Sequence, residues 1–252
     1  MRIADKGEGL PGMTARAALL TGLLTLLCVS ALLTYRFALG GLYFGAVLTA
    51  YLLIVSGIVA KWPRHQPQLE FGIANGVTLL RAIGVCLIVG TLTLATIGPR
   101  LIWMVAGIAG CTLLLDGCDG RLARHYGITS AFGARFDLEV DALLIMILCV
   151  VLVVHYDQAV WILAIGLLRY LFVGAGLLMT WLRAPLAGSI RGRAICCYQV
   201  LALILALLPW STAVRELLLV SALLLLIYSF TSDIRSLHKR AADGVPAVSS
   251  ST

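Results

Sequence analysis

LLLDGCDGRLARHYGITSAFGARFDLEVD, Leu113 to Asp141, breaks an apolar chain with its densest charge. Five of the chain's twelve acids fall between Asp116 and Asp141. The apolar runs on either side are short: Leu101–Leu115 has 15 residues and Ala142–Val154 has 13. A helix needs roughly 20 mostly apolar residues to cross a bilayer, so neither run crosses alone. Each becomes long enough if its helix continues into the polar stretch. The first then runs on through about Arg124, and the second begins near Gly133. The polar stretch becomes two helix ends joined by a short turn around Tyr126–Thr129, with its charges at one face of the membrane.

Working outward from there, eight apolar segments can be drawn: Ala15–Thr34, Ala38–Ala60, Val77–Ile97, Leu101–Leu115, Ala142–Val154, Val160–Trp181, Ala194–Leu208 and Val214–Phe230. The chain of 252 residues is 61% hydrophobic and 12% charged, against about 25% charged in a soluble domain. Continuous apolar runs rather than short alternating ones imply helices, not a barrel. The expected fold is an all-α integral membrane protein. Met1–Thr14 carries Asp5, Glu8 and Pro11 and does not read as a signal peptide. The seven cysteines form no CxxC pair and read as small apolar packing residues.

Charge orients the spans. Lys and Arg gather on the cytoplasmic side of membrane proteins. With both termini inside, fifteen of the nineteen basic residues fall there, Arg81 among them. Arg36, Arg100 and Arg215 fall outside, and Arg169 lies within a span. The net charge of +7 then suits a basic face against anionic headgroups, and no nucleic-acid partner is needed. The expected organisation is a tail with two spans over residues 1–60 and a cytoplasmic segment over 61–76. A six-span transmembrane domain over 77–231 and a disordered cytoplasmic tail over 232–252 complete it.

The acids carry the chemistry. Asp116 and Asp119 are three apart, and Asp137 and Asp141 are four apart. Both spacings place side chains on one helical face. Two antiparallel helix ends can therefore aim four carboxylates at one another, while Glu139 points elsewhere. Such a cluster repels itself unless a cation neutralises it. All-oxygen ligands suit magnesium, manganese or calcium, and two ions about 4 Å apart suit phosphoryl-type displacement. Gly120 and Gly133 stand one turn beyond Asp116 and one turn before Asp137, where a bulky ligand could approach backbone. Arg124 can pair with phosphate. An EF-hand is excluded, because its twelfth position counted from Asp116 is Gly127 rather than Glu. A cation-coupled transporter is the rival class, but it would place its acids near the bilayer midplane on broken helices.

Together these residues read Asp116-x-x-Asp119-Gly120-x-x-Ala123-Arg124, eight residues, Gly133, three residues, Asp137, three residues, Asp141. The pattern resembles the signature of the CDP-alcohol phosphatidyltransferases, DxxDGxxARx8GxxxDxxxD, at every fixed position. Asn75-Gly-Val-Thr78-Leu-Leu-Arg81 is similar to the NxxTxxR element of the first core span in that family. The likeness runs from about Glu70 to Phe230, a six-helix transmembrane core preceded here by two extra transmembrane helices.

The resemblance implies that a CDP-linked lipid, usually CDP-diacylglycerol, gives its phosphatidyl group to an alcohol and releases CMP. It implies Asp116, Asp119, Asp137 and Asp141 as ligands of two divalent ions, Mg2+ or Mn2+, with Asp141 as general base. Gly120, Ala123, Arg124 and Gly133, with Asn75, Thr78 and Arg81, would face the CDP donor. It also implies a homodimer among membrane lipids, and the expected location is a prokaryotic inner membrane with the site on the cytoplasmic side. An aminoalcohol phosphotransferase using CDP-choline or CDP-ethanolamine is the alternative within the family.

For the acceptor, Ser189-Ile-Arg191-Gly192-Arg193, followed by Gln199, resembles a Ser-x-x-Gly-Lys pattern of phosphatidylglycerophosphate synthases. It departs from it with Arg193 where Lys is usual. A basic loop suits a phosphorylated acceptor such as glycerol 3-phosphate or inositol phosphate. The same arginines also read as positive-inside anchors, so both readings stand at this point.

Overall fold

A computed structural model describes residues 14–61, 73–126, 131–156, 158–178 and 190–242. Among them are eight α-helices: α1 Ala15–Phe37, α2 Gly41–Lys61, α3 Ile73–Gly90, α4 Pro99–Tyr126, α5 Ala131–Tyr156, α6 Leu163–Leu178, α7 Ile190–Leu207 and α8 Thr212–Ala242. Short 3-10 turns occupy Thr91–Thr93 and Val160–Ile162. No strand occurs among the described residues. The all-α membrane fold expected from the sequence is therefore the fold observed.

Six helices are long and apolar enough to cross a bilayer: α1, α2, α3, α4, α5 and α8. α7 contributes a shorter apolar helix over Ala194–Leu207, and α6 has 16 residues. The outward faces are apolar as well. Leu32, Leu42, Leu53, Leu171 and Leu217 are all more than 60% exposed. A soluble surface would not tolerate so much bare leucine, whereas acyl chains solvate it.

α4 and α5 behave as the short apolar runs require. α4 runs on to Tyr126 and α5 begins at Ala131, so both helices carry the polar stretch. The 28 residues of α4 span about 42 Å at 1.5 Å per residue, more than the roughly 30 Å hydrocarbon core. Its apolar portion ends at Gly117, which leaves Asp116 at the end of the crossing segment and the next two turns beyond it. The expected turn falls mostly on residues 127–130, outside the described residues.

Two helices differ from expectation. α3 starts at Ile73 instead of Val77 and ends at Gly90 instead of Ile97, so Asn75 is inside the helix. The hydroxyls of Thr91 and Thr93 turn back onto the carbonyls of Ile88 and Gly90 and close that end. α8 continues to Ala242, eleven residues into the segment expected as a disordered tail from 232. Extending a formed helix adds a hydrogen bond per residue without a new nucleus. The sequence Ser232 to Ala242 has no Gly or Pro to stop it.

The chain divides into two compact units, Met1–Thr93 with Leu114–Val140, and Leu94–Leu113 with Asp141–Thr252. In the first, α1 and α2 pack on each other and on α3. Thr14 caps α1 by accepting from the Ala17 N–H at 3.3 Å, and Ala38 ends it in the left-handed conformation, φ 51°. The Tyr43 hydroxyl donates to the Leu87 carbonyl at 3.2 Å, and the Tyr51 hydroxyl donates to the Leu19 carbonyl at 2.7 Å. Glycines set the closest approaches. A Cβ on Gly90 would lie 2.6 Å from the Tyr43 ring and from Val47, and one on Gly22 would lie 2.6 Å from the Tyr51 oxygen. α3 is consequently 61% buried over its span, against 22% for α1 and for α2.

In the second unit α7 and α8 form an antiparallel pair across a short connection. The Tyr198 and Ser221 hydroxyls meet at 2.6 Å. Arg215 donates from Nε to the Ala206 carbonyl at 2.9 Å and stacks 4.6 Å from the centre of the Tyr156 ring. Tyr156 in turn donates to the Leu207 carbonyl. An arginine among exposed leucines thus caps the carbonyl end of α7, where its charge suits the helix dipole.

Candidate metal centre

Three helices supply the site. α3 carries Asn75, Thr78 and Arg81 at three-residue intervals, which keeps them near one face. All three are buried, with Arg81 1% exposed. α4 brings Asp116 at the end of its apolar run. α5 brings Asp137 and, one turn later, Asp141. Phe136 and Val140 beside these acids are buried and fix the rotation of this part of α5. Glu139 is exposed, in keeping with its exclusion from the cluster.

One oxygen from each of Asp116, Asp137 and Asp141 lies within 4.8 Å of the others, close enough to share a cation. The Arg81 guanidinium stands 3.3 Å from Asp116 Oδ1 and donates to Asp137 Oδ1. Three carboxylates and one guanidinium leave two negative charges, which one divalent ion would balance. The donor set is hard oxygen throughout, the chemistry that Mg2+ and Mn2+ take. A cation already paired with two of these carboxylates shows that the arrangement attracts positive charge. The residues present fit a divalent metal.

Asp119, Gly120, Ala123 and Arg124 follow Asp116 on α4, but their side chains are outside the described residues. Gly133 lies in the first turn of α5. Of the acceptor candidates, Ser189 is outside the described residues, and Arg191 and Arg193 lie in the first turn of α7 with side chains outside them. Gln199, further along α7, is 3% exposed, and its Nε2 is buried without a hydrogen-bond partner.

The pairing of Arg81 with the aspartates was not visible in the sequence, where Arg81 read as a donor contact and as one of the inside charges. No local spacing links residues 81, 116 and 137. The available signal was physical: an ionisable side chain within an apolar helix needs a counter-ion, though the sequence does not say which acid supplies it.

A family model for CDP-alcohol phosphatidyltransferase matches residues 71–228, from just before α3 to near the end of the apolar part of α8. Neither a curated protein nor a solved structure matches the chain. The match covers well over half of the sequence and contains the whole carboxylate cluster. The chain belongs to the CDP-alcohol phosphatidyltransferase family, integral membrane enzymes that use divalent metal to transfer a phosphatidyl group from a CDP-alcohol to an acceptor.

Proposed function

We propose that the protein transfers the phosphatidyl group of CDP-diacylglycerol to a small alcohol and releases CMP. The observation that carries this reading is the convergence of Asp116 with Asp137 and Asp141, inside a region that matches the family. In the proposed reaction the acceptor oxygen bonds to the lipid-side phosphorus, the bond from that phosphorus to CMP breaks, and the acceptor proton passes to Asp141. A bound pair of divalent ions would neutralise the diphosphate. Asp116, Asp119, Asp137 and Asp141 would hold them. As general base, Asp141 would need to reach only the one hydroxyl of the acceptor.

Gly120, Ala123, Arg124 and Gly133 would form the floor and clamp for the nucleotide, with Asn75, Thr78 and Arg81 contributing from α3. Residues 77–231 would be the catalytic core within a prokaryotic inner membrane, with its active site on the cytoplasmic side. Ser189, Arg191 and Arg193 would receive a phosphorylated acceptor, glycerol 3-phosphate or an inositol phosphate, since guanidinium groups bind phosphate in a bidentate manner. A donor with acyl tails and a nucleotide head has to be handled at the interface, where α4 changes from apolar to polar.

The test is CMP release by the purified protein from CDP-diacylglycerol, with Mg2+ or Mn2+ and a panel of alcohols. Metal-dependent release that requires glycerol 3-phosphate or an inositol phosphate supports the proposal. Release with unphosphorylated alcohols alone removes the acceptor assignment. No release with any acceptor, or release unaffected by chelator, removes the reaction.

A further inference from the structure

The Arg81 guanidinium lies between Asp116 and Asp137. A single nitrogen, Nη1, serves both carboxylates, and it meets the Oδ1 atom of each. The two acids come from different helices, α4 and α5, and would repel one another if left alone. Arg81 comes from a third helix, α3, which Tyr43 and the close approach at Gly90 hold against α2. Its backbone is therefore anchored, and its guanidinium is carried at the end of a long side chain. Its residue is 1% exposed, and the two aspartates are 30% and 35% exposed, so the carboxylates are open to an arriving ion from the side that Arg81 does not fill.

A divalent ion coordinated by Asp116 and Asp137 would draw on the same two carboxylates that Arg81 holds and carries the same sign of charge. Two cations crowded onto one pair of carboxylates repel one another. We propose that Arg81 is the resident counter-cation of the metal-free centre, and that metal entry displaces its guanidinium from Asp116 and Asp137. Displacement leaves a buried positive charge that requires another anion. The diphosphate of the donor is the anion that binds beside the metal, so release of Arg81 makes donor capture follow metal loading. This rests on the proposed role of the aspartates as metal ligands.

The test uses full-length protein in lipid nanodiscs, with Mn2+ binding measured by calorimetry and melting temperature measured in EDTA and in Mn2+. Competition between two cations is a coupling between sites, and such couplings change affinity about 5- to 150-fold. Arg81→Gln is expected to melt below the parent protein in EDTA, to bind Mn2+ on the order of tenfold more tightly, and to gain more melting temperature from Mn2+. Arg81→Lys, which keeps the charge, is expected to return Mn2+ affinity toward the parent value.

Unchanged or weaker Mn2+ binding by Arg81→Gln overturns the proposal. If that variant binds CDP more weakly while its Mn2+ affinity stays at the parent value, Arg81 is a donor contact only, this proposal falls, and the metal reading survives without it. If the parent protein binds no Mn2+, the metal reading and this proposal fall together. Should Arg81→Gln not fold, Arg81→Gln combined with Asp137→Asn decides the matter, since it removes one charge of each sign. A melting temperature in EDTA near the parent value supports the counter-cation role, and failure of the double variant to fold overturns it.

Discussion

At the scale of single residues, the aspartates of α4 and α5 separate into two proposed tasks. Asp116 has Arg81 at 3.3 Å and lies in the cluster that can hold a metal. Asp116→Ala is expected to abolish Mn2+ binding, because a hard ion loses the ligand contributed by α4. Mn2+ titration by calorimetry checks this, and an unchanged isotherm would remove Asp116 from the ligand set. Asp141→Asn keeps a similar shape but cannot accept the acceptor's proton. Loss of a general base lowers turnover about 10²–10⁴-fold, with Mn2+ still binding. CMP release measured beside Mn2+ titration separates the two tasks. Full turnover with the usual metal requirement would mean that Asp141 is not the base.

At the scale of elements, the first two helices have a structural task. α1 and α2 sheath α3, and two buried tyrosines tie the three together through backbone carbonyls. The buried α3 then offers Arg81 to the acids from a fixed base. Gly90→Ala would drive a methyl group to 2.6 Å from both the Tyr43 ring and Val47. Overpacking of this kind costs about 1–3 kcal/mol. A lower melting temperature in nanodiscs is expected, and an unchanged one would show that α2 and α3 can move apart freely. Tyr51→Phe removes the donor to the Leu19 carbonyl and is expected to cost about 1 kcal/mol by the same measurement.

At the scale of the whole molecule, the proposed orientation follows from charge. If the eight apolar segments all cross, fifteen of the nineteen basic residues fall on one side, and the positive-inside tendency makes cytoplasmic termini the proposed arrangement. A green fluorescent protein fused after Thr252 is expected to fluoresce in a bacterial host, and alkaline phosphatase at the same position is expected to be inactive. The opposite pair of results would invert the chain and move the proposed site to the other leaflet. The exposed leucines of α1, α2 and α8 add no information about direction, because both leaflets solvate them equally.

Much of the fold and the carboxylate motif could be read without coordinates. Apolar run length marks crossing helices, since every backbone polar group in hydrocarbon must be satisfied within its own segment. The shortness of Leu101–Leu115 and Ala142–Val154 required helices that continue through the charges, and α4 and α5 do so. The three- and four-residue spacings placed the acids on shared faces because helical geometry is local. Packing between distant segments carries no such periodic trace. The seating of α1 and α2 on α3, the glycine contacts that allow it, and the meeting of Arg81 with acids 35 and 56 residues away all depended on the tertiary structure. The physical reason is that a buried charge requires a partner, but sequence distance does not say which one.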